Sequence, residues 1–537
     1  MTQRFNSSRG LPLLLASLLV LAGCSLAPTY ERPLLDTPAA FKEAQEAVGD
    51  DSPWKPAQPA EAQPRGDWWT IFADDTLNAL ENQALAANQD LKAAAARLAQ
   101  ARALEQNARS GLFPQVGVGF GPTRQRPSPA SQGLAAGADT TPSTLWRAQG
   151  TVAYEADLFG RVRSGADAAG ADALQQRALF RSVLLALQAD VAQAYFLVRE
   201  LDATAALYSE TVELRSQTLR LFQRRFDEGD ISELDLARAR TELAAAQSEA
   251  LGVARQRAVA EHALAILLGQ APAAFSLPPQ PLARLTVRIP AGLPSALLER
   301  RPDIAAAEYA MAAANARIGA ARAAYFPRLN LTGAFGYESA DLGDLFKWSS
   351  RSFLLGPLVG TALSLPLLDG GARRAGVDFA NAKHEEEVAN YRQAVLKAFK
   401  EVEDNLAGLR LLDAQNQAQD DAVSASRRAA RLSHIQYREG SVSYLSVIDA
   451  DRSVLQQQRV AVSLDGERAR ATVGLIRALG GSWGEVPAPL AGVSDPAAPA
   501  GQAAASAGVA PSAVSSAESS ATPQAGAAAG PVATVAK

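Results

Sequence analysis

The chain has 537 residues, and its 52 Lys and Arg stand against 56 Asp and Glu for a formal net charge of −4, which argues against a basic nucleic-acid surface. Its one cysteine, Cys24, has no partner for an internal disulfide. The histidines His262, His384 and His434 are scattered, and His384-Glu385-Glu386-Glu387 lacks the second histidine that a zinc-protease helix requires.

Residues 1–23 open with Arg4 and Arg9 and continue apolar from Leu11 to Ala22, the pattern of a secretory signal peptide. About twelve apolar residues are too few to span a bilayer, which needs ~20. Leu21-Ala22-Gly23-Cys24 resembles a lipobox, so Cys24 is expected to carry a covalent lipid; Ser25 after it resembles the sorting signal of lipoproteins that proceed to the outer membrane. No cofactor besides that lipid is expected. Residues 24–66 are Pro-rich and read as a lipidated N-terminal tether. Beyond Cys24 there is no run of 18 apolar residues, so any membrane crossing falls to strands or to the lipid.

Residues 67–270 form a first repeat of helices, two strands and a helical hairpin. Val116, Val118 and Phe120 alternate with Gln115 and glycines. Trp146, Ala148, Gly150, Val152, Tyr154, Ala156 and Leu158 alternate with Arg147, Gln149, Thr151, Ala153, Glu155, Asp157 and Phe159, which predicts a strand with one apolar and one mostly polar face. From Arg161 the period changes. Leu184, Leu187, Val191, Ala194, Val198, Leu201, Ala205, Tyr208, Val212, Arg215, Leu219 and Phe222 follow steps of three and four, a coiled-coil seam whose only charged member is Arg215. A helix from Arg161 to Phe226 would be on the order of 100 Å long. It stops at Gly229 and resumes within a few residues, the signature of a tight helical reversal.

Residues 271–290 are an inter-repeat linker, and residues 291–484 repeat the first half. Arg109-Ser-Gly-Leu-Phe-Pro114 is echoed by Arg322-Ala-Ala-Tyr-Phe-Pro327 (327 − 114 = 213), and Phe226-Asp-Glu-Gly229 by Tyr437-Arg-Glu-Gly440 (440 − 229 = 211). Leu329, Leu331, Phe335 and Tyr337 alternate with Arg328, Asn330, Thr332 and Glu338, and a less regular fourth strand is expected from Phe353 to Leu367. In the second long helix Val395, Ala398, Val402, Leu409 and Leu412 keep a seam that Asn405, Asn416, Gln419, Ser426 and Ser433 interrupt. Residues 485–537 are rich in Ala, Pro, Ser and Gly and read as a disordered C-terminal tail.

Two-faced strands of this length suit a transmembrane barrel around water. Four of them cannot close one, and an open edge in lipid leaves backbone groups unpaired at several kcal/mol each, so copies must combine. Three protomers would supply twelve strands, although the pattern itself does not set the number.

The stretch from Gly292 through Arg301-Pro302-Asp303 and Asn315-Ala-Arg317-Ile-Gly319 to Pro327, together with Asp67-Trp68-Trp69, Phe72 and Asp74, resembles the TolC-like outer-membrane efflux family, lipoprotein (NodT/OprM) branch. The resemblance implies a mainly α protein with a transmembrane β-barrel. It would be a trimeric channel-tunnel with four strands per protomer, long coiled-coil hairpins and two internal repeats. It also implies a passive exit duct for drugs or other small molecules, lipid-anchored in the cell outer membrane and extending into the periplasm. The implied partners are two other copies, outer-membrane lipid, a periplasmic adaptor (membrane fusion) protein and an inner-membrane RND-type pump.

Acidic residues near the hairpin tips line the periplasmic constriction in that family; Asp449 matches such a position and Asp235 is the first-half candidate. Ser446 stands where related channels carry a second acid and Val442 where they carry an arginine, so the closing network should differ. The tips at Gly229 and Gly440 are the expected adaptor contacts. Neither a catalytic constellation nor a phosphate-cradling loop is present, and an enzyme is not expected. The alternatives are a lipid-anchored periplasmic scaffold or adaptor without a pore, and an outer-membrane channel for type I secretion.

Overall fold

The computed structural model describes residues 26–34, 38, 41–43, 67–135, 137–284, 300–356 and 362–481. The signal segment, Cys24, the C-terminal tail, residues 285–290 of the linker and residues 291–299 of the second repeat lie outside the described residues.

Helices α1 (Asp75–Ala87) and α2 (Gln89–Ser110) lead into strands β1 (Gln115–Gln125) and β2 (Ser143–Ala156), then the long hairpin of α3 (Arg161–Asp227) and α4 (Glu233–Leu267). The second half gives α5 (Pro302–Ala323), β3 (Arg328–Ser339), β4 (Arg351–Leu355), β5 (Leu363–Ser364), and the hairpin of α6 (Ala372–Arg438) and α7 (Tyr444–Ala478). The repeat extends to element length: α3 and α6 each have 67 residues, α4 and α7 each have 35, and α2 and α5 each have 22. No described helix is long and apolar enough to cross a membrane.

Local chemistry explains the boundaries. Asp74 caps α1 by accepting from the amides of Thr76 and Leu77, and Pro302 occupies the first turn of α5 with Asp303 beside it at the positive end of the helix dipole. Arg301 closes that corner from a buried position, donating to Asp303, to Glu401 on α6 and to the Ala478 carbonyl that ends α7. Further along α5, Gly319 is packed so closely that a Cβ there would lie 2.6 Å from the Ala27 Cβ.

The segment expected to tether a lipid lies against the body where it is described. Arg32 grips Glu308 at 2.6 Å, Asn315 donates to the Pro28 carbonyl, and Phe41 is buried among Ile304, Tyr391 and Val395.

The waist holds the largest apolar core, where Trp68, Trp69, Phe72, Leu77 and Leu80 meet Leu187, Val191, Tyr195, Phe196 and Leu264. Beside it, Asp202, 2% exposed at its side chain, receives Arg257 at 2.5 Å and Arg199 at 3.0 Å. The same groups hold the first part of the linker: Arg257 donates to the Leu277 carbonyl, Arg199 to the Pro278 carbonyl, and the Gln280 amide to Asp202.

None of the seam residues read from the first half is exposed in α3, and Leu187, Val191, Val198, Tyr208 and Phe222 are buried. The charged member Arg215 pairs with the buried Glu242 of α4 at 3.0 Å. In the second hairpin, hydrogen bonds replace part of the missing apolar contact: Gln419 reaches the Gln457 carbonyl and side chain at 2.9 and 2.8 Å, and His434 lies 2.9 Å from Asp451.

The described strands form one antiparallel sheet in the order β1-β2-β3-β4, with β5 also paired to β3. The fourth strand departs from expectation. It begins at Arg351 rather than Phe353 and consists of two pieces on the same edge of β3, on either side of residues 357–361, which fall outside the described residues.

Candidate functional site

Directly paired residues in an antiparallel ladder share a face, so the register assigns each side chain to one side of the wall. Val116 pairs Val152, Ala148 pairs Tyr337, Phe335 pairs Phe353 and Gly333 pairs Leu355. On this apolar face Val118 is 92% exposed, Phe353 80% and Leu355 83%, which in water would be a large unfavourable surface. The opposite face carries Arg147 paired with Glu338 at 3.4 Å and Gln149 donating to Ser352 at 3.2 Å. One chain leaves β1 and the β4/β5 edge unpaired among the described residues.

At the far end of the helices each hairpin reverses through a glycine. Gly229 and Gly440 have φ of 85° and 73°, and the amides of Asp230 and Ser441 donate back to the Arg225 and Gln436 carbonyls. This left-handed termination satisfies carbonyls that the helix end would otherwise leave open. A Cβ at either glycine would meet nothing within 4 Å, so both tips are open to solvent and only the backbone angle demands glycine.

Behind the turns the two hairpins of one protomer are packed together. Phe222 of α3 is buried with Leu236 and Ala239 of α4, and its ring lies 4.4 Å from Tyr444 of α7, which in turn lies 5.7 Å from Tyr437 of α6. Burial pushes the Tyr444 hydroxyl up to about 12. Farther along, Glu242 of α4 receives Arg215 from its own hairpin and Arg452 from α7 of the other. The hydrogen bond to Glu242 holds the Arg452 guanidinium above its ordinary range.

The two aspartates read from the sequence fall near the starts of the returning helices but in different settings, Asp235 in the first turn of α4 and Asp449 in the second turn of α7. Asp235 belongs to the cap of α4: its amide and carboxylate both bind Ser232, and Arg238 stands 3.5 Å away. Asp449 is 62% exposed at its side chain and lies 3.7 Å from Arg452. The offset of 211 aligns Asp235 with Ser446 and Arg238 with Asp449, so the two acids are not repeat equivalents. Asp235 and Asp449 therefore sit about one helical turn apart in level, among further exposed acids at the tips, Glu228, Asp230 and Glu233 on the first and Glu439 on the second.

The residues missed by sequence reasoning are Glu242, Arg452 and Tyr444. Arg215 was the available signal, because an arginine in an apolar seam requires a buried acid, but nothing local in the sequence says that Arg452 joins it from 210 residues away.

Comparison with known proteins gives a consistent answer. The model of the outer membrane efflux protein family matches residues 80–270 and 293–481, the two structural repeats. The antibiotic efflux pump outer membrane protein ArpC of Pseudomonas putida is 36% identical over 469 residues, covering 87% of this chain and 94% of the relative. Among solved structures, the outer-membrane channel OprN superposes with a TM-score of 0.76 at 30% identity, over 86% of this chain and 100% of that one. The open state of the MtrE outer membrane channel of Neisseria gonorrhoeae gives 0.73 at 31%, over 85% and 98%.

Proposed function

This chain belongs to the outer membrane efflux protein family and is an outer-membrane channel component of an efflux system, and on that premise we propose how it is assembled, anchored and gated. Three copies join at the free sheet edges into a twelve-strand barrel, with the apolar face toward lipid and the Arg147 and Glu338 face toward water. The hairpins continue the barrel as a tunnel through the periplasm. Cys24 carries lipid and holds the N-terminus at the outer membrane, while the docked residues 26–34 run from that anchor along α5.

The tunnel is passive. A periplasmic adaptor engages the tips around Gly229 and Gly440, and an RND-type inner-membrane pump drives transport, in keeping with the efflux pump named for ArpC. Asp449 and Asp235 line the narrow inner end, where symmetry-related carboxylates favour cations over anions. The contacts Phe222–Tyr444 and Arg452–Glu242 hold each protomer's hairpins together while the end is closed. The cargo is a small molecule, in keeping with the antibiotic efflux named for ArpC.

The observation that carries this reading is the sheet with two chemically distinct faces and two free edges, joined to duplicated 67-residue helices. The test is the detergent-corrected mass of protein extracted from outer membranes, followed by conductance in planar bilayers. A trimer that conducts is expected; a monomer released by removing lipid alone would overturn it.

A further inference from the structure

The register of the sheet places every strand residue on one face or the other. Along the apolar face, from Val116 to Arg124, Thr144 to Ala156, Leu329 to Ser339 and Arg351 to Leu355, the only charged residues are Arg124 and Arg351. Both fall toward the same end. Arg124 is next to last in β1, opposite Thr144, and Arg351 opens β4 opposite Tyr337, so both adjoin the loops that point away from the helices. With the helices in the periplasm, that end of the wall meets the outer leaflet.

The surroundings of these arginines differ from those of neighbouring basic residues. Arg126 lies 3.9 Å from Asp139 and Lys347 2.5 Å from Asp344, but among the described residues neither Arg124 nor Arg351 has an acidic partner. Arg351 stacks on Trp348 with its guanidinium carbon 3.0 Å from the ring centroid, and its Nε donates to the Trp348 carbonyl, leaving its terminal nitrogens without an acceptor among the described residues. Trp348 and Phe346 are 75% and 69% exposed, and Phe346 packs edge-on to Tyr337. An arginine on a lipid-facing wall is tolerated near the headgroups and disfavoured deeper, and exposed tryptophan prefers the same depth.

We propose that Arg124 and Arg351, with the Trp348 platform, form a belt that binds the phosphate groups of the anionic glycolipid of the outer leaflet. The fork of a guanidinium matches phosphate oxygens, and stacking on an indole fixes its plane. The acyl chains of the same lipid cover Phe353, Leu355 and Phe335 below. Arg124 and Arg351 occupy opposite free edges of the sheet, so in a ring of copies they fall on adjoining strands of neighbouring protomers and complete the belt together. The inference rests on the channel reading above for its membrane setting. The trimer mass tests that reading; lipid retention tests this one.

The experiment uses the full protein extracted in detergent, exchanged into micelles containing bis-phosphorylated lipid A, its enzymatically dephosphorylated form, or a zwitterionic phospholipid, with retained lipid counted by native mass spectrometry. The expected result is selective retention of the phosphorylated form, falling at least about five-fold in the R124Q/R351Q variant, whose trimer mass and conductance stay as in the parent. Equal retention of the dephosphorylated lipid by the unmodified protein overturns the proposal without recourse to any variant, and so does unchanged retention by a correctly assembled R124Q/R351Q. Displacement by millimolar inorganic phosphate would identify a free-ion site and would also overturn it.

Discussion

Glu242, on the returning helix of the first hairpin, accepts a hydrogen bond from Arg452 on the returning helix of the second, while Arg215 holds the same carboxylate from within its own hairpin. The acid is nearly buried and Arg452 is half exposed, so the tie couples two long hairpins close to their tips while remaining open to disruption from solvent.

Removing that tie should loosen the closed end without unfolding the rod. Arg452→Gln leaves Glu242 paired to Arg215, so the stability loss should be small, roughly 0.5–1 kcal/mol for a half-exposed pair. Leak conductance in planar bilayers should rise, and a double-mutant cycle with Glu242→Gln should show the two changes to be non-additive. Additive effects would mean that the contact does not act as a latch.

Asp449→Asn should change permeation and little else. The side chain is 62% exposed, so stability should stay within about 0.5 kcal/mol of the parent. The cation-to-anion permeability ratio, read from reversal potentials across a salt gradient, should fall several-fold. An unchanged ratio would remove Asp449 from the constriction.

The tip glycines separate backbone strain from adaptor contact. At φ of 85° and 73°, Gly229→Ala and Gly440→Ala should each cost roughly 1–2 kcal/mol in the turn. Bulkier replacements should also reduce cross-linking to the adaptor and dye efflux in cells. Efflux and cross-linking left intact by Gly440→Val would exclude this tip as a docking element.

Glu81 makes stability depend on pH. It is fully buried in α1, its carboxylate oxygens have no hydrogen-bond partner among the described residues, and burial pushes its carboxyl up to about 9. The unfolded chain ionises this group near pH 4.5, whereas the folded chain keeps the proton until about pH 9. Between those values the folded state binds one more proton, so stability falls as pH rises, by about 1.4 kcal/mol per unit at most. Glu81→Gln should flatten that slope in thermal unfolding followed from pH 5 to 9 and raise Tm at pH 8.

Arg257→Met should weaken the waist. It strips Asp202 of its 2.5 Å partner and frees the Leu277 carbonyl, while Arg199 and the Gln280 amide stay in place. The expected cost is about 2–3 kcal/mol, below the roughly 3–5 kcal/mol of an orphaned buried charge. Limited proteolysis of the linker after Leu277 should accelerate in parallel.

Much of the architecture was legible in the chain before any coordinates. The period of three and four from Leu184 to Phe222, the alternation from Trp146 to Tyr154, and the glycines at 229 and 440 depend on backbone geometry within a few residues, which is why they predict helices, strands and reversals directly. The duplication set the architecture, because echoes near 211 residues imply two copies of one supersecondary unit. The fourth strand was read less well: without strict alternation, its two pieces are defined mainly by their pairing to β3.

What the tertiary structure decided is everything that depends on the rotational phase and relative height of the long helices. Composition and period identify Arg215 as a charge in a seam, but only packing selects Glu242 as its acid and brings Arg452 to the same carboxylate across 210 residues. The same holds for the wall. Alternation establishes that the strands have two faces, whereas the register reveals that the lone charges on the apolar face, Arg124 and Arg351, both stand toward its outer end. A local pattern fixes which side of an element a residue occupies, while its neighbours across the fold are chosen by contacts between segments that the chain's own geometry leaves free to slide and turn.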